Sequence, residues 1–145
     1  MATVQDMIRK KGGEVFTVAP EATVFEALKM MSQHNTGALL VMEGGDVAGI
    51  ISERDCVRKL DLLGRSAKDT KVANIMTSEV ISVEADQDLE ECMALMIDRN
   101  IRHLPVYGSG ELLGLISVRD VLREMIEVQR TMLAQLERYI TGGGR

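Results

Sequence analysis

Residues Gly49–Asp55 read GIISERD, and residues Gly114–Asp120 read GLISVRD. Their near-identity at an offset of 65 (114 − 49 = 65) decides the fold. At that offset residues 15–60 align with 80–125 without a gap. Val15, Val18, Glu26, Met31, Asn35, Leu39, Val41, Gly49, Ile51, Ser52, Arg54, Asp55 and Arg58 each face an identical residue. Thr17/Ser82, Glu21/Asp86 and Leu28/Met93 are conservative pairs. A match of this quality predicts two copies of one supersecondary unit, related by an approximate two-fold pseudo-symmetry. Inserting three residues in the first copy extends it upstream, where Val4, Met7 and Ile8 face Val72, Ile75 and Met76.

Both copies carry the same signals. Val15–Val18 and Val80–Val83 are short β-branched stretches that predict strands. VFEALKMMSQ (24–33) and LEECMALMID (89–98) place apolar residues at helical spacing, and Asn35 and Asn100 end those helices in the left-handed conformation. ALLVM (38–42) and HLPVY (103–107) predict strands. GG (44–45) and GSG (108–110) predict hairpin turns into the return strands VAGIIS and LLGLIS. A helix follows Ser52 and Ser117. The unit is β-α-β-β-α, so the fold class is α/β (α+β): two such repeats and a long C-terminal helix. The expected boundaries are 1–66 for repeat 1 with an N-terminal helix and linker, 67–130 for repeat 2, and 131–145 for a helical extension and tail. The polar segment Leu62–Thr70 reads as an exposed connection. The last helix carries an apolar stripe through Val121, Leu122, Met125, Ile126, Val128, Met132, Leu133, Leu136 and Ile140. Its length exceeds what one repeat covers, so Thr131–Ile140 is expected to dock on another subunit.

Composition narrows the function. The chain has 145 residues, 46% hydrophobic and 27% charged, as in ordinary soluble domains; only 3% are aromatic, so the core is aliphatic. A net charge of −5 without a basic stripe argues against nucleic-acid binding. The apolar run Ala38–Met42 is too short to span a bilayer, and the N-terminus lacks a signal-peptide core; a cytoplasmic location is the resulting expectation. Cys56 and Cys92 have no metal or redox spacing and read as buried free thiols. There is no nucleophile beside a base, no catalytic carboxylate pair, no metal-ligand spacing and no phosphate-binding loop, so the chain is read as a non-enzyme without a required cofactor.

The repeated heptad supports two readings. Ser52 and Ser117 stand at helix N-caps, with Asp55 and Asp120 at the reciprocal capping-box position, which alone accounts for both pairs at about 1 kcal/mol per helix. The same helix end offers N–H groups and partial positive charge to an anion. A carboxylate there repels a phosphate but accepts ribose hydroxyls, so a nucleoside phosphate reconciles the two. Its ribose would lie on the Asp, its phosphate near the Ser, the helix end and a cation. Arg54 and Arg119 directly precede the carboxylates. His34 reads as a solvated residue at its helix end.

The β-α-β-β-α repeats, the G-h-h-S-x-x-D endings and the run Arg102–Val106 (RHLPV) resemble a tandem pair of cystathionine-β-synthase (CBS) domains over roughly residues 4–125. The resemblance implies a regulatory module that binds adenosyl ligands: AMP first, with ADP, ATP, NAD(H) or S-adenosylmethionine as alternatives. It implies a homodimer, a disc of four CBS repeats, acting on a protein effector in trans as an energy or metabolite sensor. It also implies two ligand clefts. The repeat-2 cleft would use Thr17, Val18, Gly37, Ala38, Leu39, Arg102, His103, Ser117, Arg119 and Asp120. The repeat-1 cleft would use Ser52, Arg54, Asp55, Ser82, Val83 and Ile101. Only repeat 2 has Arg102 and His103, where repeat 1 has Gly37 and Ala38, so the Asp120 site is expected to bind more tightly. His103 could act as a donor or as a pH-sensitive group. The alternative is a dimerisation scaffold with vestigial clefts.

Overall fold

In the computed structural model, which describes residues 2–12 and 14–143, two three-stranded sheets repeat one topology. The elements are α1 (Val4–Lys11), β1 (Thr17–Val18), α2 (Val24–His34), β2 (Ala38–Glu43), β3 (Asp46–Ser52), α3 (Glu53–Leu63), β4 (Val83–Glu84), α4 (Leu89–Arg99), β5 (His103–Gly108), β6 (Glu111–Ser117) and α5 (Val118–Arg138). Short 3-10 turns at Ala67–Asp69 and Val72–Asn74 follow α3.

Each sheet has a central strand paired parallel to a two-residue strand and antiparallel to its hairpin partner. Thr17 and Val18 face Leu40 and Val41, as Val83 and Glu84 face Val106 and Tyr107. The register shifts after Val41 and, at the equivalent place, after Val106. The first strands are shorter than their β-branched stretches suggest. The hairpin turns use positive φ at Gly44 (60°) and Gly45 (86°), and at Ser109 (52°) and Gly110 (80°), the geometry that matches strand twist. Asn35 (φ 51°) and Asn100 (φ 53°) end α2 and α4 in the left-handed conformation, as their side chains allow.

The chain folds into two compact units, residues 14–81 and residues 1–13 with 82–145. In unit 14–81, Val18, Val24, Ala27, Met31, Leu39, Val41, Ile51, Cys56, Val72 and Ile75 form a buried aliphatic core. In the other unit, Val4, Met7, Ile8, Val83, Leu89, Cys92, Met96, Leu104, Val106, Ile116 and Val121 are buried. These sets are equivalent by sequence except in origin. Val72 and Ile75 lie upstream of the gapless match in repeat 2 but pack into the unit of repeat 1. Val4, Met7 and Ile8 lie upstream of it in repeat 1 but pack into the unit of repeat 2. The units therefore trade their upstream segments, and the spatial division differs from boundaries drawn along the repeats.

Two glycines admit the traded segments. A Cβ on Gly114 would stand 2.7 Å from Cδ1 of Ile8, and one on Gly49 would stand 2.8 Å from both Sδ of Met76 and the carbonyl oxygen of Thr77. The first residue of each repeated heptad is thus a glycine because another segment lies against its backbone. A lysine secures each segment. Lys59 of α3 donates to the Ile75 carbonyl (2.8 Å), and Lys10 of α1 pairs with the buried Glu124 of α5 (2.8 Å).

Candidate functional site

The two heptads build the same local frame. Ser52 and Ser117 are extended residues at the ends of β3 and β6, where the chain turns into α3 and α5. Each Ser Oγ accepts from the N–H of its Asp (3.1 Å in both), and each carboxylate accepts from the Ser backbone N–H (3.1 Å at Asp55, 2.9 Å at Asp120). Both capping boxes are complete. The first helical N–H is also taken: Glu53 N–H donates to the Gly37 carbonyl (3.0 Å) and Val118 N–H to the Arg102 carbonyl (2.9 Å). The helix ends are therefore less open to an anion than the sequence suggests. A phosphate here would depend on cationic side chains more than on backbone donors.

The surroundings diverge. Asp120 receives Lys11 from the end of α1, with Nζ 2.6 Å from Oδ2, and the same ammonium donates to the Leu115 carbonyl (2.8 Å). The Asp120 side chain is 14% exposed and that of Lys11 39%. Burial pushes the Asp120 carboxyl up, but the Lys11 ammonium and the Ser117 donors outweigh it and hold the pKa below the ordinary 3.8. Asp55 instead faces Lys59, one helical turn along, at 3.4 Å. In the upstream register that aligns Ile8 with Met76, the counterpart of Lys11 is the exposed Glu79.

Arg102 and His103 lead into β5, and Ser117, Arg119 and Asp120 lie where β6 enters α5, all in one unit. His103 pairs in register with Ser117, which brings it beside the capping box. Burial lowers the His103 pKa to about 4; Asp120 opposes this, and Lys11 and Arg102 reinforce it. His103 is neutral at physiological pH. Of its two expected roles this favours the donor: desolvation outweighs its carboxylate neighbour. Arg102 and Arg119 are exposed. Ser82, Val83 and Ile101 also belong to this unit.

Ser52, Arg54 and Asp55 lie in unit 14–81, with Thr17 and Val18 of β1 and Gly37, Ala38 and Leu39 at the entry to β2. Ala38 faces Ser52 across the β2–β3 ladder, so a methyl stands where the other unit has the His103 imidazole. Lys11 escaped the sequence reading. Its signal, a basic last turn Arg9–Lys10–Lys11, reads as an ordinary helix C-terminus. His34 is not simply solvated: its ring stacks on Phe16 at 3.8 Å between centroids.

Cys56 and Cys92 are buried free thiols, and burial first, then neighbouring carboxylates, pushes both up to about 11. Among the described residues no group of His, Cys, Asp or Glu has the arrangement of a metal site. No helix among them is long and apolar enough to cross a membrane.

The family model for the CBS domain matches residues 4–62 and again 72–127. This chain belongs to the CBS-domain family. The CBS domain-containing protein CBSX3, mitochondrial, of Arabidopsis thaliana is 41% identical over 97% of this chain and 73% of its own length. The solved structure of a protein with CBS domains from Burkholderia ambifaria MC40-6 is 43% identical with a TM-score of 0.84, covering 87% of this chain and 95% of that one. The CBS domain pair of protein MJ0100, solved with 5′-methylthioadenosine and S-adenosyl-L-methionine, shares the fold: TM-score 0.75, 23% identity, 86% of this chain and 96% of that one. The upstream segments fall inside the matched CBS ranges, so each matched range includes a segment that packs in the other compact unit.

Proposed function

We propose that this CBS pair is a regulatory module that binds an adenine nucleotide, AMP first and ATP or NAD(H) as alternatives, and passes the signal to a protein effector. The observation that carries this reading is the completed Ser117–Asp120 frame beside His103, with Arg102 and Lys11 supplying positive charge within its electrostatic reach. A fixed carboxylate suits two vicinal ribose hydroxyls, and the cations suit a phosphate. The bound adenosyl compounds of the MJ0100 pair support the ligand class. Ser52 and Asp55 form the second, weaker site, with Gly37 and Ala38 in place of the cation and the imidazole.

The assay is thermal shift of the protein with AMP, ADP, ATP, NAD, NADH and S-adenosylmethionine, repeated on Asp120→Ala. A rise with one nucleotide that disappears in the variant supports the site. No rise with any ligand favours the scaffold reading, because the capping bonds alone then account for the doubled motif. Calorimetry ranks the sites: Asp120→Ala should cost more nucleotide affinity than Asp55→Ala, and equal losses refute the ranking.

The homodimer belongs to the same proposal. Beyond Arg130, α5 and the turn after it expose Met132, Leu133, Leu136, Tyr139 and Ile140, an apolar face at helical spacing. Truncation after Arg130 should keep both folded units and lose the dimer on a sizing column. An unchanged elution volume removes α5 as the dimer element.

A further inference from the structure

We infer that Lys11, contributed by α1, sets the specificity of the Asp120 site, making it select phosphate-bearing adenosyl ligands over a sulfonium or an uncharged nucleoside. The inference rests on the reading of that site as a nucleotide site and names the residue that decides which members of the class it accepts.

Three observations carry it. The Lys11 ammonium is held in place by two partners, Asp120 Oδ2 at 2.6 Å and the Leu115 carbonyl at 2.8 Å. It sits on a helix fixed independently of the ligand, by Lys10–Glu124, by buried Val4, Met7 and Ile8, and by Ile8 against Gly114. The backbone donors that could otherwise bind the phosphate are partly used: Val118 N–H by the Arg102 carbonyl and Asp120 N–H by Ser117.

Charge then decides. Asp120 contributes one negative charge, Lys11, Arg102 and Arg119 one positive charge each, and His103 none at neutral pH. The carboxylate alone would draw a cation, and S-adenosylmethionine carries a sulfonium. Lys11 cancels that attraction at its source, leaving a surplus positive charge for a phosphate. In the other unit Asp55 has Arg54 and Lys59 beside it, Glu79 aligns with Lys11 in sequence, and Gly37 and Ala38 replace Arg102 and His103, so the same motif carries a smaller positive surplus there.

The test is calorimetric titration of the protein with AMP, adenosine and S-adenosylmethionine, on wild type, Lys11→Met, Lys11→Arg and Arg9→Met. Arg9→Met is the control: it removes an equal charge from an exposed position in the same last turn of α1. Wild type should prefer AMP to both other ligands. Lys11→Met should weaken AMP about tenfold, leave adenosine undiminished and narrow the ratio of AMP to S-adenosylmethionine. Lys11→Arg should keep the preference, and Arg9→Met should change AMP binding less than about twofold. Binding of all three with ratios unmoved by Lys11→Met overturns the role of Lys11 while the site stands. Equal loss in Arg9→Met and Lys11→Met overturns it too, since net charge then suffices. Binding of none overturns the site and the specificity with it.

Discussion

The Lys11–Asp120 pair makes a quantitative demand on the protein without ligand. Its partners lie 109 positions apart in sequence, and the pair ties α1 to the mouth of α5. Asp55–Lys59 is its counterpart in the other unit: the same carboxylate in the same capping box, joined to a lysine of its own helix at 3.4 Å. Replacing either Asp by Ala removes a cap contact, about 1 kcal/mol. At Asp120 the variant also loses an ion pair at 2.6 Å with a mostly buried carboxylate, while Lys11 keeps the Leu115 carbonyl and is not stranded. Lys11 is more than a third exposed, so solvent screens the pair and holds its worth to about 1 kcal/mol. Asp120→Ala should therefore cost about 2 kcal/mol and Asp55→Ala about 1. In urea unfolding, the double-mutant cycle of Lys11→Met with Asp120→Ala should return a coupling of about 1 kcal/mol, against about 0.3 for Lys59→Met with Asp55→Ala. The Asp120 contribution is fully present above its unfolded value of 3.8 and is lost as pH falls through the lower folded value. Equal couplings in the two cycles would falsify the claim that α1 gives the second heptad a distinct electrostatic setting.

Other consequences are simpler to state. His103 is held neutral with its pKa lowered to about 4 from 6.5, so its unfolded form takes up a proton first. Stability should be complete above pH 6.5 and fall by up to about 3 kcal/mol as pH drops towards 4. His103→Leu should flatten that part of the profile, and parallel profiles for variant and wild type would refute the cause. Gly49→Ala drives a Cβ against the Thr77 carbonyl, which the mutual Ile50–Thr77 bonds (2.9 Å each) hold in place, whereas Gly114→Ala meets only the tip of Ile8. The first should cost about 3 kcal/mol and the second about 1; the reverse order in thermal melts would contradict the packing described. The thiols of Cys56 and Cys92, buried and raised to about 11, should resist a disulfide reagent in the native protein at pH 8 and react after unfolding. Rapid native labelling would show that the helices bearing them open readily.

Much of the architecture was legible because it is local. Ser-x-x-Asp sets a capping box through contacts within four residues, Asn at a helix end tolerates the left-handed conformation, and a two-residue hairpin needs positive φ. The offset repeat then doubled each inference. The pairing of segments was not local. The repeat states that Ile8 is equivalent to Met76, and it is silent on which sheet either one covers. Only the bare backbone of Gly114 and Gly49 marks where the segments land, and a glycine in a strand has several possible reasons.

The same distinction explains what was missed at the candidate site. By sequence order α1 belongs to repeat 1, so a search around Asp120 has no reason to consider a lysine at position 11. Its arrival changes the chemistry more than any difference within the heptads, which both satisfy the requirements of a helix start. A motif shared by two copies because folding requires it says little about which copy binds what. Discrimination must lie in residues that the cap does not constrain: Lys11 against Glu79, and Arg102–His103 against Gly37–Ala38. These differences all add positive charge or hydrogen-bonding capacity to one copy and withhold it from the other. The two copies of the heptad thereby carry different electrostatics while each keeps the contacts that start its helix.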